Sequence, residues 1–512
     1  MEAANRNVMR FVSVPLFVAV VGFSASDKAA TLEFGAPFSD HAVLQRGMRV
    51  PVWGTACPES EVSVAFAGQK KTCIAGTDGV WRVDLDPMQA SSEGREVVAT
   101  ACSGSEKSSV VAHDVLVGEL WFASGQSNME CPIWGKNSRF RDRKGAMMCA
   151  MANQPLVRYV KTPSAWSVWP KRTVRVNWRL MTAESLARNE KPSAVAFYYA
   201  REIYLALGVP VGIVDSTWGG TPIDAWTPRE GYADCDGSIR KFAEYKVKED
   251  FDRSSDIVPP VIYGAHHQPT VLFNGMVAAY VPMAMRGFIW YQGCNNAKEP
   301  KLYCAKMHAL YNGWKRAFGN ESLKMYFAQL APFNTNWPEM CAAQAKFAAE
   351  EPNAAMAVLA DVGNFDDVHP NEKETVAQRL ALHALKRDYG FPIDNDDSPA
   401  FRCAVFTNGV ATLSFDHVKA WYVYSPDKSL DAPFELCGAD GVWHSAKIVN
   451  FIQKRMDGKW VDVYQLDSSD LVVKSDAVPE PAGVRYMCRP RTAGTLYNEM
   501  SLPLSCWEYR NL

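Results

Sequence analysis

The sequence predicts a mixed α/β protein, with a parallel sheet flanked by helices in the middle of the chain and β-rich domains at both ends. Three observations predict it. Between Asp114 and about Pro399, apolar strand-like runs such as "AMRGFIWYQG" and "MAVLADVG" alternate with helical stretches such as "AVAFYYAREIYLALG" and "KETVAQRLALHALKRDYG". That alternation is the pattern of parallel strands joined by helices. From Ala30 to about His113, short alternating runs broken by turn residues, as in "VPVWGTACPESEVSVAFAGQ" and "DGVWRVDLDP", predict a small antiparallel β-domain. Beyond Pro399 the period-two pattern returns with Asp-Gly and Asn-Gly turns, which predicts a second one.

The 512 residues are too many for one ordinary core, and several domains are the expected outcome. The boundaries read as 1–26 for a signal peptide, 30–113 for the N-terminal β-domain, 114–399 for the central α/β domain and 400–512 for the C-terminal β-rich domain. An apolar fraction of 48%, a charged fraction of 21% and a formal charge of -2 describe a globular protein with no electrostatic attraction to nucleic acid or acidic membranes. Its partners are therefore expected to be small and close to neutral, and oligomeric state is not legible.

At the N-terminus, Arg6 and Arg10 precede an apolar stretch from Phe11 to Phe23, followed by small residues around Ala25 and Ser26. This is the layout of a secretory signal peptide, so the mature protein is expected to be secreted or periplasmic. The apolar run is shorter than the ~20 residues a membrane-crossing helix needs. Thirteen cysteines without a CxxC pair give neither a zinc pattern nor a dense disulfide framework.

Four stretches of the central segment carry the chemistry. In an open parallel sheet, ligands bind beyond the carboxyl ends of the strands. Ser127, in "FASGQSNMEC", follows the strand-like Val115 to Phe122 run and stands at such an end. Backbone N–H groups there would favour an alkoxide or a developing oxyanion, although a hydroxyl that merely caps a helix fits the same place. "VDSTWGGTPIDAW" places paired glycines after a strand, where the backbone can approach a ligand closely. "GFIWYQGCNNA" ends a strand in Gln292, Gly293, Asn295 and Asn296, whose side-chain amides are neutral donors suited to an oxyanion. "NFDDVHPNEK" sets His369 shortly after Asp366 and Asp367, either of which can orient its imidazole, with Pro370 opening a helix. Serine first, amide donors in the middle and acid and base last is a workable catalytic order. The "GQSNM" context and an acid sharing one turn with the histidine point away from the α/β-hydrolase fold, which uses GxSxG and separate loops.

At these residues the sequence resembles the SGNH hydrolases, and within them the sialate O-acetylesterase family of carbohydrate esterases. "LWFASGQSNME", "STWGGTPIDAW", "GFIWYQGCNNA" and "DVHPNEK" look like that family's successive blocks, and "FSDHAVLQRGMRVPVWG" and "LYNEMSLPLSCWEY" resemble its flanks. The resemblance implies an SGNH-type three-layer α/β/α domain with a parallel sheet, flanked by N-terminal and C-terminal β-sandwich-like domains. It implies a serine esterase that removes O-acetyl groups from sugars, most of all sialic acids, without cofactor or metal. Carried over by position, Ser127 is the nucleophile and His369 the base. Asp367 is favoured over Asp366 as the orienting acid. Ser127, Gly220, Gln292 and Asn296 are expected to form the oxyanion hole, and Gln126, Asn128, Trp218 and His267 to meet substrate. One departure stands out: Cys294 occupies the place where the third block usually carries glutamate.

That departure keeps a second reading open, a degenerate hydrolase acting as a glycan-binding protein. Acetylated xylan is the alternative substrate. A metal-dependent hydrolase is disfavoured, since adjacent His266 and His267 point apart in either regular structure and no HExxH spacing exists. A sialic acid carboxylate could be clamped by an arginine such as Arg139, Arg141 or Arg286.

Overall fold

The computed structural model describes residues 32–135, 142–246, 264–334, 337–424, 433–451, 454–456, 459–461 and 465–511. The segment expected to be a signal peptide, and Arg139 and Arg141, lie outside the described residues. Among the described residues no helix is long and apolar enough to cross a membrane.

The centre of the molecule is a sheet whose strands run in the order Arg179–Thr182, Asn153–Lys161, Val211–Thr217, Glu106–Gly125, Gly287–Tyr291, Lys324–Ala328 and Ala354–Ala357. All neighbouring pairs along this path are parallel except the first. The strands at its heart are buried along their whole length, as parallel strands covered on two sides must be.

Alternation of side chains decides what covers each face. Phe122, Phe288, Trp290, Met325 and Phe327 point to one side and pack with Leu310, Trp314 and Phe318 of the Pro300–Phe318 helix and Phe347 of Pro338–Glu350. Trp121, Ala123, Ile289, Tyr291 and Tyr326 point to the other and meet Tyr199 and Ile203 of Ala194–Leu207 and Leu380 and Ala384 of Lys373–Arg387. The Ala194–Leu207 helix starts at Ser193, whose hydroxyl accepts the Ala196 N–H, and stops at Gly208 in the left-handed conformation. Truncating one of these aromatics, Phe122→Ala for example, is expected to cost about 3–5 kcal/mol through lost burial and the cavity left behind.

Glu106–Gly125 is a single strand of 20 residues. Its first half pairs antiparallel with Ser91–Ser103, and its second half pairs parallel with Val211–Thr217 and Gly287–Tyr291. The N-terminal strands are therefore joined to the central sheet through continuous backbone. At the other end a seven-stranded antiparallel sheet runs from Ala400–Thr407 to Trp507–Arg510. Its core includes Cys341, Val358 and Ala360 of the central region, so the C-terminal sheet is docked on the Pro338–Glu350 helix and the strand beyond it.

Candidate active site

Ser127 owes its position to a glycine-dependent turn and to the hydrogen bonds of the residue that follows the glycine. Gly125 ends the long strand with φ 136°, a conformation that favours glycine, and a Cβ there would come within 2.3 Å of the Tyr291 carbonyl. The Gln126 N–H donates to that same carbonyl at 3.1 Å. The Gln126 side chain accepts the backbone N–H groups of Gly293 and Asn295 at 3.1 and 3.3 Å. These bonds lock the chain at the carboxyl ends of two parallel strands, and Ser127 opens the short helix Ser127–Glu130 above them.

The second half of the arrangement comes from the loop before the Lys373–Arg387 helix. Asp367 Oδ1 accepts the backbone N–H of His369 at 3.0 Å and stands 2.8 Å from its Nδ1. The imidazole reaches across, and its Nε2 lies 2.9 Å from Ser127 Oγ. With Nδ1 protonated toward the carboxylate, Nε2 is the acceptor for the serine hydroxyl. Asp366 is directed elsewhere: its carboxylate accepts from Arg491 of the C-terminal region at 2.9 Å, and the same guanidinium stacks over Phe365. The helix opens at Lys373 rather than at Pro370, so Pro370 stays in the loop and His369 keeps a non-helical backbone.

The glycine pair completes one wall. Gly219 donates its N–H to Glu130 Oε2 at 2.7 Å, and Gly220 follows with φ 71°. A Cβ at Gly219 would come within 2.7 Å of that carboxylate and 3.3 Å of the Ser127 side chain. Burial pushes the Glu130 carboxyl above its ordinary range. The Gly220 carbonyl receives His267 Nε2 at 2.8 Å and the Asn295 side-chain amide. Trp218 stacks on His266 with ring centroids 4.8 Å apart, and burial holds both His266 and His267 below the usual imidazole range.

Gln292 and Asn296, expected to offer amide donors, are fully buried and spend them inside the scaffold. Gln292 Nε2 donates to the Thr221 carbonyl and to Asn296 Oδ1, while Asn296 Nδ2 donates to Asp224 and Glu299. Lys306 bridges the same two carboxylates at 3.0 and 2.8 Å. This buried network braces the "TPIDAW" turn against the "CNNA" turn and leaves neither amide at the cavity. Asn128 is likewise buried and receives Lys373 Nζ at 2.6 Å. Cys294 is half-buried, and burial pushes its thiol up to about 11. Arg286 is paired with Glu119 at the opposite end of the same strands.

A cavity of about 710 Å³ opens over Ser127 and His369. Gly219 and Gly220 line it, together with Glu130, Trp134, Lys161, Glu190 and Lys191, of which only Glu130 lies in a quoted block. Lys161 is held by Asp215 at 3.0 Å and by Thr217 at 2.8 Å. Scattered charges of this kind carry no sequence signal. Among the described residues, two groups of side chains could hold a metal ion, Cys304 with His308 and Glu350, and His383 with Asp396 and Asp397; neither contributes a residue to the cavity.

Comparison with known proteins extends this geometry. The family described as carbohydrate esterase, sialic acid-specific acetylesterase matches residues 261–386, a span that includes His369 but not Ser127. Sialate O-acetylesterase of Rattus norvegicus is 29% identical over 406 residues, 70% of this chain and 73% of the relative. The Mus musculus protein of the same name is 28% identical over 426 residues, covering 74% and 77%. A crystal structure of a carbohydrate acetylesterase from Xanthomonas citri superposes with a TM-score of 0.77 at 30% identity, over 94% of this chain and all of that one. The chain belongs to the sialate O-acetylesterase family. Membership makes it a carboxylic ester hydrolase of the carbohydrate-deacetylating kind.

Proposed function

We propose that this esterase works by a serine mechanism on O-acetylated sialic acids, with Ser127 as nucleophile, His369 as general base and Asp367 as the group that orients it. One observation carries the reading: a single imidazole spans 2.8 Å to a carboxylate on one nitrogen and 2.9 Å to a hydroxyl on the other, at the floor of a cavity. His369 takes the Ser127 proton as Oγ attacks the acetyl carbonyl carbon, and it returns that proton to the departing sugar oxygen. Water, deprotonated by the same imidazole, then releases acetate from the acetyl-serine. The carbonyl oxygen gathers negative charge in each half-reaction. The backbone N–H groups of Ser127 and Gly220 are its donors in this reading, the first because a residue that opens a helix has no intrahelical acceptor.

The substrate side of the proposal is supported by the relatives' names and by Lys191 in the cavity lining, which suits a sugar carrying a carboxylate. An SGNH-type layering, with β-sandwich-like flanks around a 114–399 catalytic domain, and export of the mature chain belong to the same reading. Acetate release from O-acetylated sialic acids beside acetylated xylan tests it. A clear preference for the sialic acids is expected; equal or better rates on xylan would overturn the substrate assignment while leaving the serine mechanism standing.

A further inference from the structure

We infer that Asn128 and Lys373 form a buried clamp that holds the Ser127 turn and the Asp367–His369 turn in register, and that loss of the Lys373 charge sets the alkaline limit of the reaction. The inference rests on Ser127 and His369 carrying the chemistry as proposed above. Asn128 directly follows Ser127, and its two side-chain atoms are both used. Oδ1 accepts Lys373 Nζ at 2.6 Å, and Nδ2 donates to the carbonyl of Val368, the residue before His369, at 3.0 Å. An ammonium can only donate and a carbonyl can only accept, so the amide has one permitted orientation. Asn128 is 2% exposed and Lys373 not at all. The link is therefore shielded from water and connects two turns 240 residues apart in sequence.

Among the described residues, no carboxylate is in direct contact with the cation of this clamp. Lys373 Nζ lies over the Tyr291 ring at 5.3 Å and feels the thiols of Cys131 and Cys294 and the carboxylates of Asp142 and Asp367. Asp142 is engaged by the backbone N–H of Lys373, the Lys144 N–H and the Tyr198 hydroxyl, and Asp367 by His369. Burial outweighs these attractions and pushes Lys373 down to about 8. A neutral amine could still donate to Asn128, but as a weaker bond than the charge-assisted one. Loosening it releases the Val368 carbonyl and with it the placement of His369 against Ser127. Lys373 is thus a positioning residue: it acts through Asn128 and touches neither substrate nor reacting atoms.

The test is the pH profile of kcat on an aryl acetate, corrected for spontaneous hydrolysis, with the melting temperature recorded at each pH. For the unmodified protein kcat is expected to fall above about pH 8 while the fold remains intact. In Lys373→Met, kcat at pH 7 is expected to drop about 10- to 100-fold with little change in KM, and the alkaline decline to vanish. Cys294→Glu sets a carboxylate beside the ammonium and is expected to move the decline upward by about a unit or more. Should Cys294→Glu not fold, Lys373→Arg answers the same question, because a guanidinium stays charged and removes the decline. Wild-type kcat in Lys373→Met, or a decline unchanged in both the Lys373 and Cys294 variants, would overturn the clamp. Failure of the serine mechanism itself reads out separately, as activity that survives Ser127→Ala.

Discussion

Two Asp–His pairs lie close together in the chain and look alike on paper, yet their surroundings differ. Asp367–His369 and Asp396–His383 make Nδ1–carboxylate contacts of 2.8 and 2.9 Å. The first stands at a cavity floor, with side chains 25% and 13% exposed and Ser127 on the far nitrogen. The second is sealed, at 4% and 2%, with Arg387 and Lys386 also on the carboxylate and Tyr326 against the ring. A carboxylate beside a histidine is therefore not a signature of catalysis. What distinguishes the first pair is a free path from the second nitrogen to a hydroxyl and from that hydroxyl to an open cavity.

The contrast can be broken from either side. The largest effect is expected at Asp367→Asn, which keeps the shape but favours the wrong imidazole tautomer. Activity should fall by about two to four orders of magnitude with the melting temperature nearly unchanged, as steady-state kinetics beside calorimetry will show. Asp396→Asn should do the reverse, leaving kcat within about twofold while costing roughly 3 kcal/mol, since it strands charges that the carboxylate now pairs. Its pH dependence has a defined sign. His383 and Arg387 hold the Asp396 carboxyl well below its ordinary range. The stabilisation is complete above about pH 4 and is lost as the pH falls through the folded-state value, and denaturant melts from pH 6 downward will track it. Gly219→Ala sharpens the role of the glycine wall: the added methyl meets Glu130 and Ser127, and a loss of about tenfold in kcat/KM is expected without unfolding. The smallest effect belongs to Asp366→Asn, whose carboxylate serves Arg491 at the surface; activity within about threefold is expected.

The same contrast explains what the sequence could disclose. Ser127 was legible because it follows the end of a strand, and Asp367 and His369 because they share one short block, in which the Asp367 carboxylate turns back onto the His369 N–H and imidazole. Gln292 and Asn296 were also visible, but a string of amides does not say where its donors point, and here they close a buried network with Asp224, Glu299 and Lys306. Glu130, Lys161 and Lys191 look like ordinary surface charges until the fold wraps them round one cavity. The composition shift near residue 114 coincides with a change of burial inside one strand: Glu106–Gly125 is largely exposed in its first residues and wholly buried from Val115 onward. Periodicity registers that change of surroundings, whereas the continuity of the backbone through it emerges only in three dimensions.

The central claim, that Ser127 attacks the acetyl group, is tested most directly by kcat/KM of Ser127→Ala on an aryl acetate, measured beside its melting temperature. A loss of about a thousandfold or more with an unchanged melting temperature is the result the geometry predicts. Activity within tenfold of the unmodified protein, from an equally stable variant, would contradict it.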